Sequence, residues 1–132
     1  VHGMLTDQHG RINFAIARKP DKSGLMIARP KSDEGKSAET LYTVIRLAKN
    51  MSLVRVQTLT GRTHQIRVHF KAIGHPLIGD PLYKARKLKK EKIEAPRLFL
   101  HAEVLGFTDL NGEFRRYTAP LSEELQRFLS RL

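Results

Sequence analysis

The sequence contains no cysteine. That removes disulfides and thiolate metal ligation, and leaves the fold to packing and hydrogen bonds. It also lacks a long apolar run: no stretch nears the roughly 20 residues that span a bilayer as a helix. No leader of charged, apolar and small residues opens it, so nothing in it points to secretion, and a cytoplasmic address is the expectation. Acidic residues are few. Against 24 Lys plus Arg stand 13 Asp plus Glu, a formal charge of +11 with a pI near 10.4. Such an excess serves either as a plain basic surface or as the match to a polyanion. Phosphate neutralisation is its commonest use, so nucleic acid is the expected partner. No long helix sets a basic face against an aromatic one, which argues against a membrane surface.

What is present suits one domain. The chain has 132 residues, of which 40% are hydrophobic, enough for one packed core. "GRINFAI" (Gly10 to Ile16) partly alternates and is expected to be a strand. "RKPDKSG" (Arg18 to Gly24) is turn chemistry, and "KSDEGKS" (Lys31 to Ser37) a polar loop. In "AETLYTVIRL", Thr40, Tyr42 and Val44 share one face of a strand. In "LVRVQTLT" (Leu53 to Thr60), Val54, Val56 and Thr58 do the same. A turn at Asn50 to Ser52 should join the two as a hairpin. From Thr63 to Ile73 the period changes. Ile66, Phe70 and Ile73 fall on one helical stripe, with Thr63 as the expected N-cap and Gly74 at the C-terminal end.

Downstream, "HPLIGDPLY" (His75 to Tyr83) is an ordered loop and "KARKLKKEKIEAPR" (Lys84 to Arg97) a basic stretch. "LFLHAEVLGFT" (Leu98 to Thr108) and "FRRYTA" (Phe114 to Ala119) form a strand pair about the turn "DLNGE". Ser122 caps a last helix with Leu121, Leu125, Phe128 and Leu132 on its buried stripe. Its acids come early and its arginines late, as the macrodipole favours. The class is α+β with a largely antiparallel or mixed sheet and a few helices.

The chemistry concentrates in "TGRTHQIRVHF" (Thr60 to Phe70). Gly61 permits a tight turn, and Arg62, Thr63 and His64 stand where a helix presents unpaired N–H groups. A cation there opposes the dipole unless an anion occupies the site, which makes Arg62 a phosphate candidate. The plainer reading is a solvated surface arginine beside a capping threonine. Arg67 lies at the margin of the apolar stripe, where an arginine needs a carboxylate. None nearby in sequence is well placed, so its partner is expected to be distant or outside the chain. His64, His69, His75 and His101 match no common zinc spacing.

"TGRTHQIRVHFKAIGHPLIGDPLY" resembles the signature segment of the RluA-type pseudouridine synthases. "GRINFAIARKPDKSGLMI" is similar to that family's glycine-isoleucine…proline-isoleucine-x-arginine segment, with Ala15 where proline is usual. "GKSAETLYTVI", "RLFLHAEVLGF" and "GEFRRYTAPLSEELQRFL" resemble further family segments, so the resemblance covers nearly the whole chain.

The resemblance implies an RNA-modifying isomerase, acting on structured RNA such as ribosomal RNA and needing no metal or organic cofactor. It also implies that residues 1–132 are the C-terminal part of a catalytic domain. The family's nucleophile is an aspartate in an arginine-leucine-aspartate-x-x-threonine-serine-glycine motif, and that motif is not among these residues. Asp21, followed by Ser23-Gly24-Leu25, imitates it only superficially, and turn chemistry accounts for it. Carried over by position, Arg67 is the basic residue that pairs with the aspartate outside the chain. Leu59, Thr60 and Gly61 would line the pocket, and Arg62, Thr63, His64 and Gln65 would bind RNA. The competing readings are a non-catalytic RNA-binding module and a ribosome-associated structural protein. If the domain is incomplete, Arg67 should lack an intrachain carboxylate and stand in an open cleft beside bare apolar surface.

Overall fold

Alternating side chains build the central hairpin. β4 (Thr40–Ala48) runs antiparallel to β5 (Met51–Thr58), with Tyr42 opposite Val56 and Val44 opposite Val54. The computed structural model describes residues 1–21, 23–30, 34–84 and 95–132; most of the basic stretch Lys84 to Arg97 and the start of the loop at Lys31 lie outside the described residues. The hairpin turn is Lys49–Asn50, at φ 45° and 60°. Two left-handed residues make the type of turn whose twist suits a two-residue loop. The turn expected at Asn50 to Ser52 is thus shifted: Met51 and Ser52 are buried strand residues. Between Val44 and Arg46 the register slips, which leaves Ile45 as a bulge residue, 52% exposed.

The single strand expected over Gly10 to Ile16 is two. β1 (His9–Ile12) pairs with β4, giving a sheet of order β1-β4-β5. β2 (Ala15–Arg18) pairs with β3 (Met26–Arg29) in a separate sheet. The break at Asn13 and Phe14 lets two isoleucines serve two cores. Ile12 packs with Leu5, Tyr42, Phe70 and Leu77, while Ile16 packs with Ala38, Val68 and Tyr83. α1 (Gln65–Ala72) joins these clusters, because Phe70 enters the first and Val68 the second. Ile66 and Ile73 flank Phe70 as the stripe predicts. The helix closes through bonds from Gly74 N–H to Lys71 O and from His75 N–H to Phe70 O.

The C-terminal strand pair is shorter than expected: β6 (Val104–Thr108) against β7 (Phe114–Thr118). Leu98 and Leu100 pack on the first core instead of extending β6, and Phe99 N–H bonds Ile78 O. Every residue of β6 and β7 is exposed. α2 (Glu123–Ser130) buries Leu125 and sets Phe128 against Phe99, ring centres 5.7 Å apart. Ser122 holds the N-cap position, but its hydroxyl accepts from Arg97 Nη2 and makes no capping bond. The class is α+β, with antiparallel pairing throughout the described strands. No helix among the described residues is long and apolar enough to cross a membrane.

Gly10 sits opposite Tyr42, whose ring lies over it; a Cβ at Gly10 would meet that ring at 2.2 Å. Gly10→Ala should therefore destabilise the protein by about 1–3 kcal/mol, the usual cost of overpacking. In urea denaturation, Gly10→Ala should cost much less in a Tyr42→Leu background than in the native one. Equal destabilisation in both backgrounds would contradict the contact.

Candidate functional site

Thr58 ends β5 and Gln65 begins α1. The course of the residues between is set by the Gln65 carboxamide. Its oxygen accepts from the Thr60 hydroxyl at 2.8 Å and from Arg62 N–H at 3.0 Å. Its nitrogen donates to Glu39 O at 2.9 Å and to Thr40 Oγ1 at 3.0 Å. With four bonds and 4% exposure, Gln65 is an interior joint of the signature segment. Thr63 is not the N-cap. His64 takes that position at φ 54°, ψ 23°, with no side-chain capping bond. Gln65 satisfies the Arg62 N–H instead. Gly61 is not at positive φ and a Cβ there meets nothing, so the turn comes from the Gln65 bonds and not from glycine freedom.

The network continues inward. The Thr40 hydroxyl donates to His69 Nδ1, and His69 Nε2–H donates to Phe14 O, both at 2.9 Å. Burial pushes the pKa of His69 below its usual value, against the opposing bond to Phe14 O, and keeps the ring neutral.

Arg67 has an intrachain carboxylate, contrary to expectation. Its Nε and Nη2 donate to the two oxygens of Asp80 at 2.8 and 2.7 Å. Asp80 also accepts the N–H groups of Leu82 and Tyr83. The side chains of Arg67 and Asp80 are 12% and 1% exposed, so the pair is internal and Arg67 does not lie bare in an open cleft. The partner stands 13 residues downstream. Only the fold of the Pro- and Gly-bearing loop returns it to α1, which is why local spacing missed it. Burial works against the Asp80 charge, but the Arg67 bonds and the two N–H groups outweigh it and hold the carboxyl below its usual range. The bond to Asp80 raises Arg67 in turn. The Arg67 guanidinium carbon sits 4.8 Å from the centre of the buried Tyr83 ring. Gly79 (φ 70°) brings the loop so near Arg97 that a Cβ would meet Arg97 O at 2.2 Å.

The remaining candidates are on the outside. Leu59 is 51% exposed. Gly61 and Thr63 are exposed, and Thr60 is half-buried. Arg62 is partly exposed, and its Nε donates to Ser37 O at 3.0 Å. His64 Nδ1 lies 2.8 Å from the Tyr83 hydroxyl, a contact with no signal in the local sequence. His75 and His101 bond the carbonyls of His2 and Ala119. Among the described residues no cluster of three or more His, Asp or Glu side chains is placed to hold a metal ion. Asp21 lies in the exposed β2–β3 loop, where it accepts from Ser23 N–H and Oγ–H.

With this geometry in view, comparison places the chain among known proteins. Residues 5–72 match the model of the RNA pseudouridylate synthase family. The chain is 44% identical over 137 residues to ribosomal large subunit pseudouridine synthase C of Escherichia coli (strain K12), across all of this chain and 43% of that protein. It is 40% identical over 134 residues to the uncharacterized RNA pseudouridine synthase YlyB of Bacillus subtilis (strain 168), across all of this chain and 42% of that one. The structure of human RNA pseudouridylate synthase domain containing 1 superposes with a TM-score of 0.78 at 28% identity, covering 90% of this chain and 51% of that one. The chain belongs to the RNA pseudouridylate synthase family, as its RluA-type motifs imply. It spans less than half the length of these two curated relatives.

Two buried groups set the acid response. The folded pKa of His69 lies below the unfolded 6.5, so the unfolded chain takes up the proton first. Stability should fall as pH drops from 6.5 toward the folded value. Asp80 is ionised in the fold below the ordinary 3.8; its contribution is complete above that value and is lost as pH falls through the folded one. Urea midpoints against pH should show the first decline in the native chain and not in His69→Gln. Asp80→Asn, which leaves Arg67 uncompensated, should cost about 3–5 kcal/mol at neutral pH.

Proposed function

We propose that the protein isomerises uridine to pseudouridine in RNA, with ribosomal RNA as the substrate and the cytoplasm as the place of action. The N1–C1′ bond breaks, the uracil turns, and a C5–C1′ bond forms. The C5 proton leaves and N1 gains one, so no cofactor or metal is required. The target uridine leaves its stack at a cost of a few kcal/mol. The nucleophilic aspartate comes from outside residues 1–132, so this chain by itself supplies half of the chemistry and is inactive alone. Ribosomal RNA is chosen because the Escherichia coli relative carries the ribosomal large subunit in its name.

The observation that carries the reading is the Arg67–Asp80 pair. Both bonds use the Nε–Nη2 edge of the guanidinium, and Nη1 takes part in neither. Asp80 thus holds the cation in place and leaves an N–H group for the nucleophile's carboxylate, which it would keep ionised. Leu59, Thr60 and Gly61 form the pocket wall, and Arg62 and Thr63 meet the RNA backbone. The same pair favours a second reading, in which Arg67 is purely structural and the chain binds RNA without chemistry.

Mapping pseudouridine in ribosomal RNA from a deletion strain should reveal a missing position, restored by the native gene. Loss of no ribosomal position would sink the substrate assignment. Arg67→Met combined with Asp80→Asn removes both charges while the Asn Oδ1 still accepts the Leu82 and Tyr83 N–H groups; it should stay folded, yet fail to restore the position. Restoration by that variant would establish the structural reading. Binding to ribosomal RNA should weaken with salt, and Arg62→Ala should lower the log–log slope by about 0.7–0.9.

A further inference from the structure

We infer that Tyr83 is a positioning residue for His64: its hydroxyl fixes the imidazole in the Nε2–H form, so that His64 offers one neutral donor to an acceptor oxygen of the bound RNA. The inference rests on the reading of this site as RNA-facing.

Three observations lead to it. Tyr83 is buried, and its hydroxyl oxygen accepts the Met26 N–H at 3.0 Å. The phenol proton then needs an acceptor of its own, because a buried O–H left unpaired is costly. Among the described residues the one in reach is His64 Nδ1 at 2.8 Å. Were Nδ1 itself protonated, the oxygen would accept twice and the phenol proton would be stranded. The bonding therefore assigns Nδ1 as acceptor and places the imidazole proton on Nε2. Nε2 makes no hydrogen bond within the described residues.

Second, His64 is held firmly. It sits in the left-handed region at φ 54°, a conformation few non-glycine residues adopt, and its carbonyl accepts the first helical bond, from Val68 N–H at 3.0 Å. Its ring meets the Tyr83 ring edge-on at 5.5 Å and 76°. Third, the Tyr83 ring is itself fixed. Arg67 and Lys71 lie over it at 4.8 and 5.6 Å, and Asp80 accepts its N–H. Asp80, Tyr83 and His64 thus form a rigid line from the buried ion pair to the residue beside Arg62. Arg62 supplies charge on a long side chain, whereas the fixed His64 ring supplies a single direction. The acceptor is a phosphodiester oxygen or a nucleobase carbonyl oxygen, since either takes one N–H.

The test uses the complete protein with ¹⁵N-labelled histidine. Long-range ¹H–¹⁵N spectra of the unliganded protein in alkaline buffer should show His64 as Nε2–H. Tyr83→Phe should leave a mixture of the two forms. Finding Nδ1–H in the native protein would overturn the inference whatever the variant does. With a transcript of large-subunit ribosomal RNA, His64→Ala should raise Kd by about tenfold, one good hydrogen bond, and Tyr83→Phe by about twofold, because a share of the His64 rings still carries the proton on Nε2. The double variant should be no weaker than His64→Ala alone, because Tyr83 acts through His64. Additive losses would overturn it. The unpaired Met26 N–H of Tyr83→Phe lowers stability in both backgrounds alike and is read separately from thermal melts. A native protein that fails to bind the RNA would overturn the RNA-facing reading, while the tautomer spectra still judge Tyr83. Repeating the titration with methylphosphonate-substituted RNA separates the sources. If the His64→Ala penalty disappears at one substituted linkage, the acceptor is phosphate; if it persists at all of them, the acceptor is a base.

Discussion

A single carboxamide organises this molecule. Gln65 uses both hydrogens and both lone pairs of its side-chain amide, on Thr60, Arg62, Glu39 and Thr40. Each such bond is worth about 1 kcal/mol net, but the larger effect is conditional. Without Gln65, the carbonyl of Glu39 and the hydroxyls of Thr40 and Thr60 would lose a partner at once, inside a core with little water to replace it. The first turn of α1, the path from β5 and the seat of His69 all follow from that one side chain. Arg62 is displayed outward because its N–H is anchored inward.

The two arginines of the signature show how one cation type can be put to opposite uses. Arg67 is clamped by a saturated carboxylate and set over an aromatic ring, so its position is fixed and its charge is balanced. Arg62 bonds only a backbone carbonyl, so its charge remains uncompensated within the described residues. An excess of +11 is therefore not spread evenly in effect. The paired Arg67 adds nothing to that excess, whereas Arg62 is among the cations that supply it.

Much of the fold was legible where the pattern is local. The alternation of Thr40, Tyr42 and Val44 against Val54, Val56 and Thr58 gave the hairpin, and Ile66, Phe70 and Ile73 gave the inner stripe of α1. The failures have a common cause. The break at Asn13 and Phe14, the strand β3 and the shortened β6 depend on which neighbour each segment meets, and periodicity carries no record of neighbours. The candidate site divides in the same way. Arg62 and Arg67 stand out by residue type and position. Asp80 and Tyr83 become their neighbours only because a loop folds back. Gln65 looks like any polar residue in a basic run, and its burial is visible only in three dimensions. His64 and not Thr63 holds the N-cap position, while the Gln65 side chain reaches back to the Arg62 N–H just outside the helix.

Gly79 has a consequence for how the molecule holds together. Its missing side chain lets Arg97 O pass within what would be Cβ contact, and the neighbouring Ile78 O accepts Phe99 N–H. Arg97 in turn reaches Glu124 and Ser122 at the start of α2. The loop that carries Asp80 is thereby fastened to the C-terminal helix through a backbone seam and not through side-chain packing alone. The Leu82 and Tyr83 amides, both bonded to Asp80, therefore sit in a loop tethered to a helix far along the chain. The ion pair in the signature and the first turn of α2 are thus joined by a continuous chain of bonds through Gly79 and Arg97.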